Sequence, residues 1–503
     1  MSLRSKNIGL PLIFSLIVLT ALPGCGSPFM RNILSSKPGS IRHPFEVKDA
    51  EDLRHVGRPE PGTKYAEWGL GKHYRQVAPI DLNGTIDWHD VTNEWVPIGT
   101  LSEQFTGSYN GQGNTIIELE ITSLVGFYRG LFAYIGKKGH VLNVKLENIT
   151  INGISNIGGI AGQNEGIVEN CSSTGTINGT GLGNYIGGIA GYNNGEIKSS
   201  NSACTVNSSG SYVGGVAGLN TGFGKITNCF SSGSVIGNIG VGGVVGYNTG
   251  NDSLVNNCHA TGTVEGAINT GGVVGENESA VEYCYFTGTV QCDSNTGGVI
   301  GHNNGNVKCC YAKGTIQQNS GAANFGGIIG NNGGSGSVSN CYTMVDIVAV
   351  ASNNAGGIVG ENNFGGKIEF CYATGSISCN ENGGGIAGFN FGTIVNCVAL
   401  NEKIFVSLIS EGRIAANIAS GSVLDKNYGW ELMDPPGWVT LDTGKDGYDV
   451  NDNICSTGWV GYTAIYFWET LVGFTFMDDT WKWTDGYLPH LFSGDQFMPS
   501  YLP

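Results

Sequence analysis

The string Gly-Gly-[Ile/Val]-[Ala/Val/Ile]-Gly recurs nine times, starting at Gly158, Gly187, Gly214, Gly242, Gly271, Gly297, Gly326, Gly356 and Gly384, at spacings of 26 to 30 residues. A degenerate copy, Gly130-Leu131-Phe132, precedes them at the same period. A unit this short cannot bury an apolar face alone, so the chain must stack its repeats into one continuous core. Three further features keep step with the motif. An Asn follows two residues after every copy: Asn164, Asn193, Asn220, Asn248, Asn277, Asn303, Asn332, Asn362 and Asn390. A Cys comes later at Cys171, Cys229, Cys258, Cys284, Cys310, Cys341, Cys371 and Cys397, with Ser200 in the second repeat's slot. Six residues beyond that slot lies Ile177, Val206, Val235, Val264, Val290, Ile316, Ile347 or Ile377.

Length changes fall in two places only, after the Asn and before the next Gly-Gly. Segments of fixed length separated by variable ones are strands separated by loops. Each repeat therefore predicts about three short strands and three turns, one coil of an all-β, right-handed parallel β-helix (solenoid) with N- and C-terminal caps. Ten or eleven coils at ~4.8 Å give a rod about 50 Å long. A propeller blade needs ~40 or more residues. A leucine-rich horseshoe needs regularly placed Leu, which is scarce, and a calcium-binding β-roll needs Asp inside its glycine repeats, where these motifs have none.

The paired glycines either take φ > 0 or let the backbone approach its neighbour closely. The Asn suits a turn, because it tolerates the left-handed region and bonds local backbone; stacked one coil apart, its amide can also donate along the rod. The residue before it varies (Gln163, Tyr192, Leu219, Tyr247, Glu276, His302), which predicts a solvent-facing position. Stacked cysteines point their Cβ atoms in parallel about 4.8 Å apart, whereas a disulfide wants ~3.8 Å and converging vectors, so the ladder reads as buried core. One thiol per coil does not make the tetrahedral cluster zinc requires; no metal and no cofactor are expected.

The first residues read as an export signal. Arg4 and Lys6 precede an apolar stretch from Ile8 to Leu22, too short to span a bilayer comfortably, and Leu22-Pro23-Gly24-Cys25 resembles a lipobox with Cys25 as the lipidated residue. Pro23 departs from the usual small or β-branched residue there. The expected organisation is signal 1–25, tether 26–44, N-terminal cap and first coils 45–129, repeats 130–401, and a Trp-rich C-terminal cap 402–503. The net charge of −16 argues against nucleic acid and anionic membrane as partners, leaving the membrane to be reached through the lipid anchor alone. Open solenoid ends must be covered, and all nine Trp lie outside residues 96–429. Asp49-Ala50-Glu51-Asp52-Leu53 predicts a capped helix start, and Gln76 to Leu82 a strand.

These residues resemble the GLUG-repeat family, found in bacterial and archaeal surface proteins. The resemblance runs from about Phe45 to Leu491, on the nine Gly-Gly-x-x-Gly copies, Asn-Cys steps such as Asn340-Cys341, and the flanking Trp95–Gly99 and Trp483–Leu488 segments. It implies a β-helix and an adhesin-like role. Related repeats also accompany metallopeptidases bearing His-Glu-x-x-His; here no His is followed by Glu.

The expected function is a non-catalytic surface lipoprotein for adhesion, binding or envelope architecture, its partner a surface glycan or a host or matrix protein. The alternative is a β-helix carbohydrate hydrolase or lyase. A hydrolase pairs carboxylates across a bond, but between residues 158 and 400 the Asp residues are only Asp252, Asp293 and Asp346, and the densest carboxylates are Glu276, Glu278 and Glu282. No Gly-x-Ser-x-Gly elbow is present. The candidate binding strip is the residue after the Cys slot: Phe230, His259, Tyr285, Tyr311, Tyr342 and Tyr372. If the Cys faces the core, its neighbour faces out.

Overall fold

The computed structural model describes residues 37–83, 94–321, 323–408 and 410–430, and in the C-terminal part 432–433, 448–450, 465–476, 480–484, 487–491, 499–500 and 502. The export signal with Cys25, and most of the tether, lie outside the described residues.

One coil shows the plan. Tyr285–Cys292 is a long strand, Ser294–Gly297 and Ile300–Asn303 are short ones, and Asn306–Lys308 closes the circuit. Each repeats in the next coil in parallel and in register, as from Tyr285↔Tyr311 to Cys292↔Gln318. Four sheets therefore run along the rod, numbered I to IV in the order of those strands. The coil has four strands where the sequence predicted three. The extra strand is the short one that ends at the first glycine of the pair: the pair turns the chain from sheet II into sheet III.

That corner decides between the two roles of the paired glycines. None of them has φ > 0. A Cβ on Gly272 would instead sit 2.2 Å from the carbonyl oxygen of Gly298 and 2.3 Å from Cγ of Phe286. Close approach of successive coils is what excludes a side chain here.

Sheet IV contains fourteen strands, hence thirteen coil-to-coil steps, and a rod of about 60 Å. Three coils beyond the glycine-marked ones are N-terminal, built on Phe45–Val47, His73–Gln76 and Ser108–Asn110, which carry no Gly-Gly signature. A further one, over residues 404–425, lies in the segment expected to be the C-terminal cap and corrects the start of that cap. Inside the rod the Ile/Val ladder from Ile177 to Ile377 is buried throughout. The N-terminal end is filled by aromatics rather than stacked aliphatics: Trp68 packs on Phe45 and Tyr74, Tyr74 on Phe105, and Phe105 on Phe132. The helix is Ala50–Arg54, with Oδ1 of Asp49 accepting from the Asp52 amide at 2.9 Å. The strand expected over Gln76–Leu82 divides into His73–Gln76 and Ile80–Asp81.

Candidate binding faces along the rod

The invariant Asn residues end the sheet III strands with side chains turned inward, each fully buried or nearly so. Nδ2 of Asn277 donates to Oδ1 of Asn303 at 2.8 Å, and Asn303 to Asn332 at 2.9 Å. Such links run unbroken from Asn164 to Asn390. The same amide also donates to local backbone, as Asn277 does to the Ser279 carbonyl. None of these nine residues is left-handed, which corrects that part of the expectation; the local backbone bonds and the donation along the rod are both present. The left-handed position lies just before the Cys slot: Asn170, Ser199, Asn228, Asn257, Tyr283, Cys309, Asn340, Phe370 and Asn396, φ 49–55°. The Asn-Cys steps carry that signal in the sequence.

The ladder cysteines are free and buried. The thiols bond backbone carbonyls two residues earlier, and in mid-ladder they also accept from the preceding coil: Cys284 Sγ donates to the Glu282 carbonyl at 3.2 Å and accepts from the Cys258 amide at 3.4 Å. Ser200 makes the same pair of bonds with its hydroxyl. Burial holds the thiols of Cys229, Cys258, Cys284, Cys310, Cys341 and Cys371 well above the usual range, so they stay protonated and unreactive.

The six residues after the slot form one stack on sheet I. Ring centroids from Phe230 through His259, Tyr285, Tyr311 and Tyr342 to Tyr372 are 4.5–5.2 Å apart, nearly parallel. Only its first half meets solvent: Phe230 is 37% exposed, and His259 and Tyr285 are half-buried. Tyr311, Tyr342 and Tyr372 are buried, which corrects the expectation of a continuous exposed strip. The C-terminal segment lies over them. Trp481 packs on Tyr342 and Tyr372, Trp468 on Tyr372, and Phe474 stacks on Trp481. Nε1 of Trp481 donates to Asn340 Oδ1 at 3.0 Å, and the Tyr372 hydroxyl to the Pro489 carbonyl at 2.5 Å. These tryptophans cover the side of the rod.

A second aromatic face went unrecognised in the sequence. In sheet II a left-handed residue stands beside each of these strand starts: Tyr128, Asn156, Tyr185, Tyr212, Gly240, Asn269 and Asn295. Beside it runs the outward column of sheet III, where Tyr134, Gln163, Tyr192, Leu219, Tyr247 and Glu276 pair in register. Rings meet across the columns: Tyr212 stacks on Tyr185 (5.7 Å) and on Tyr247 (5.0 Å), and Tyr185 meets Tyr192 edge-on. The column is half-buried rather than freely solvated, and Leu219 and Tyr134 are buried. Burial, with Glu278 adding to it, pushes the Tyr247 phenol up to about 12, so it remains a donor. The two columns come from different segments of the repeat, so neither looks aromatic when read along the chain.

No catalytic constellation emerges from the carboxylates singled out. Glu276 stands on sheet III, Glu278 at the following corner and Glu282 on sheet IV. Among the described residues no group of three His, Cys, Asp or Glu side chains could hold a metal ion, and no helix is long and apolar enough to cross a membrane.

Fold and faces together define a parallel β-solenoid of tandem glycine-cornered coils. Its coils carry GLUG motifs: residues 153–178, 209–236, 237–265 and 266–291 match that family, four of the nine copies read from the sequence. Over 146 residues the chain is 31% identical to halomucin of Haloquadratum walsbyi, covering 28% of this chain and 2% of halomucin. Over 144 residues it is 33% identical to an Evansella cellulosilytica protein provisionally described as a Gly-rich membrane protein, covering 28% and 16%. The chain thus spans small fractions of these relatives. A Bacteroides ovatus crystal structure, provisionally described as an immunoglobulin A1 protease, aligns with a TM-score of 0.37 at 20% identity, covering 56% of this chain and 79% of that one.

Proposed function

We propose that the chain is a non-catalytic surface rod, anchored through a lipid on Cys25, whose lateral faces serve adhesion or envelope architecture. The observation that carries this reading is where the reactive groups sit. The repeat's cysteines and ladder asparagines are locked inside the coils, while the carboxylates of Glu276, Glu278 and Glu282 are spread over different sides of the rod. Such an object offers area and length, and the relatives named as halomucin and as a membrane protein fit a place at the cell boundary. Its partners are surface glycans or host or matrix proteins, and nucleic acid is disfavoured by the net charge of −16. Fractionation of cells expressing the wild type and Cys25→Ser tests the anchor. The wild type is expected in the membrane fraction and the variant in the soluble one; identical distributions would contradict it.

A further inference from the structure

The sheet II corner accommodates Asn or Gly without penalty, and Asn156, Gly240, Asn269 and Asn295 use it so. Tyr128, Tyr185 and Tyr212 occupy the same corner at φ 56°, 67° and 62°. A bulky residue at positive φ is a strained choice, and three on one face point to a use for the rings there. All three are half-buried, so the rings are neither core nor free surface. Gly240 lies under Tyr212, where a Cβ would come 2.6 Å from the ring, so that coil yields its own side chain to let Tyr212 reach Tyr247.

The polar groups on this face are acceptors and amides. Glu276 accepts from Asn269 Nδ2 at 2.7 Å, and Glu278 accepts from Thr249 at 2.6 Å. Gln163 donates to the Tyr134 hydroxyl at 2.8 Å. The two columns from Tyr128 to Glu276 contain no Lys or Arg. The neighbouring Arg129 turns its guanidinium onto the Val125 carbonyl at 2.7 Å. Apolar side chains stand free at the rim, Leu124, Phe127 and Leu182 being 59–86% exposed.

We infer that this tyrosine face is a platform for an uncharged polysaccharide laid along the rod. Phenol hydroxyls, carboxylates and amides suit sugar hydroxyls, and the rim side chains suit the apolar faces of the rings. Carboxylates without cations disfavour acidic polymers. Tyrosines in four of these six coils, spread along the rod, match an extended polymer better than a single compact epitope. The inference rests on the surface-rod reading and adds the ligand class.

The test is affinity electrophoresis of the purified protein through gels containing hydroxyethylcellulose, xylan or galactomannan, with alginate as the acidic control. Wild type is expected to be retarded by at least one neutral polymer and not by alginate. Tyr185→Asn/Tyr212→Asn installs the residue that the same corner carries elsewhere, so it should keep or raise the thermal midpoint while weakening retardation at least tenfold. Glu276→Gln/Glu278→Gln, which preserves shape, should weaken it as well. No retardation by any neutral polymer, retardation by alginate alone, or unchanged retardation in the folded tyrosine variant would overturn the proposal. Loss of cell adhesion in the tyrosine variant without polysaccharide binding would also overturn it, and would leave the adhesive rod standing.

Discussion

At the residue scale the internal asparagines bind the coils most directly. Asn277→Ala removes donors and acceptors shared with Asn248, Asn303 and Ser279. It also strands buried amide groups on both neighbours, so a loss of about 3 kcal/mol is expected in chemical denaturation. A loss within ~0.5 kcal/mol, the usual range for surface substitutions, would show that the ladder is ornamental. The left-handed corner gives the opposite sign. Ser199 stands at φ 49° between Asn170 and Asn228, and Ser199→Asn should gain roughly 0.5–1 kcal/mol. His259 supplies a pH signature, because burial in the aromatic stack lowers its pKa. The unfolded chain then takes up a proton near ~6.5 while the native one resists. Stability is therefore level above that pH and declines below it until the native imidazole also protonates. Denaturation midpoints at pH 7 and pH 5 should show a smaller drop for His259→Tyr than for wild type; equal drops would remove His259 from the account. The Asn and Cys ladders were legible because identical residues recur at identical positions. The donation along the rod was legible for the same reason; the backbone conformation of the Asn was not, because a strand-end and a corner Asn look alike in sequence.

At the scale of elements, the sequence revealed the coil but miscounted its sides. Gly-Gly was read as a turn; the structure makes it a corner with a short strand on either side. Gly272→Ala should cost about 3 kcal/mol, since the Gly298 carbonyl and the Phe286 ring both occupy the space its methyl needs. Thermal unfolding with the midpoint unchanged would contradict the close approach of coils. The C-terminal segment was expected as an end cover; residues 404–425 instead add a coil to the rod, and Trp468, Phe474 and Trp481 lie along sheet I. Composition announces that tryptophans cover something, but only tertiary structure says what. Trp481→Ala removes the ring shared by Tyr342, Tyr372 and Phe474 and should cost roughly 3–5 kcal/mol. Limited proteolysis should then cut the segment faster than in wild type, while the coils persist.

For the whole molecule, stability is close to a sum over coils and the contacts between them. The ends therefore matter disproportionately, and the chain closes its N-terminal end with an aromatic cluster built on Tyr74, Phe105, Tyr109 and Phe132. First coils were expected there, but their number was not legible in the sequence because they keep the sheet IV strand and lack the glycine corner. One uninterrupted stack of coils encloses a buried, free thiol in nearly every repeat. Mass spectrometry after alkylation with iodoacetamide, with and without denaturant, tests it most directly. The native protein should leave Cys171, Cys229, Cys258, Cys284, Cys310, Cys341, Cys371 and Cys397 unmodified, and the denatured protein should take up label at all of them without prior reduction. Rapid labelling of these positions in the native state, or disulfides among them, would contradict the stack.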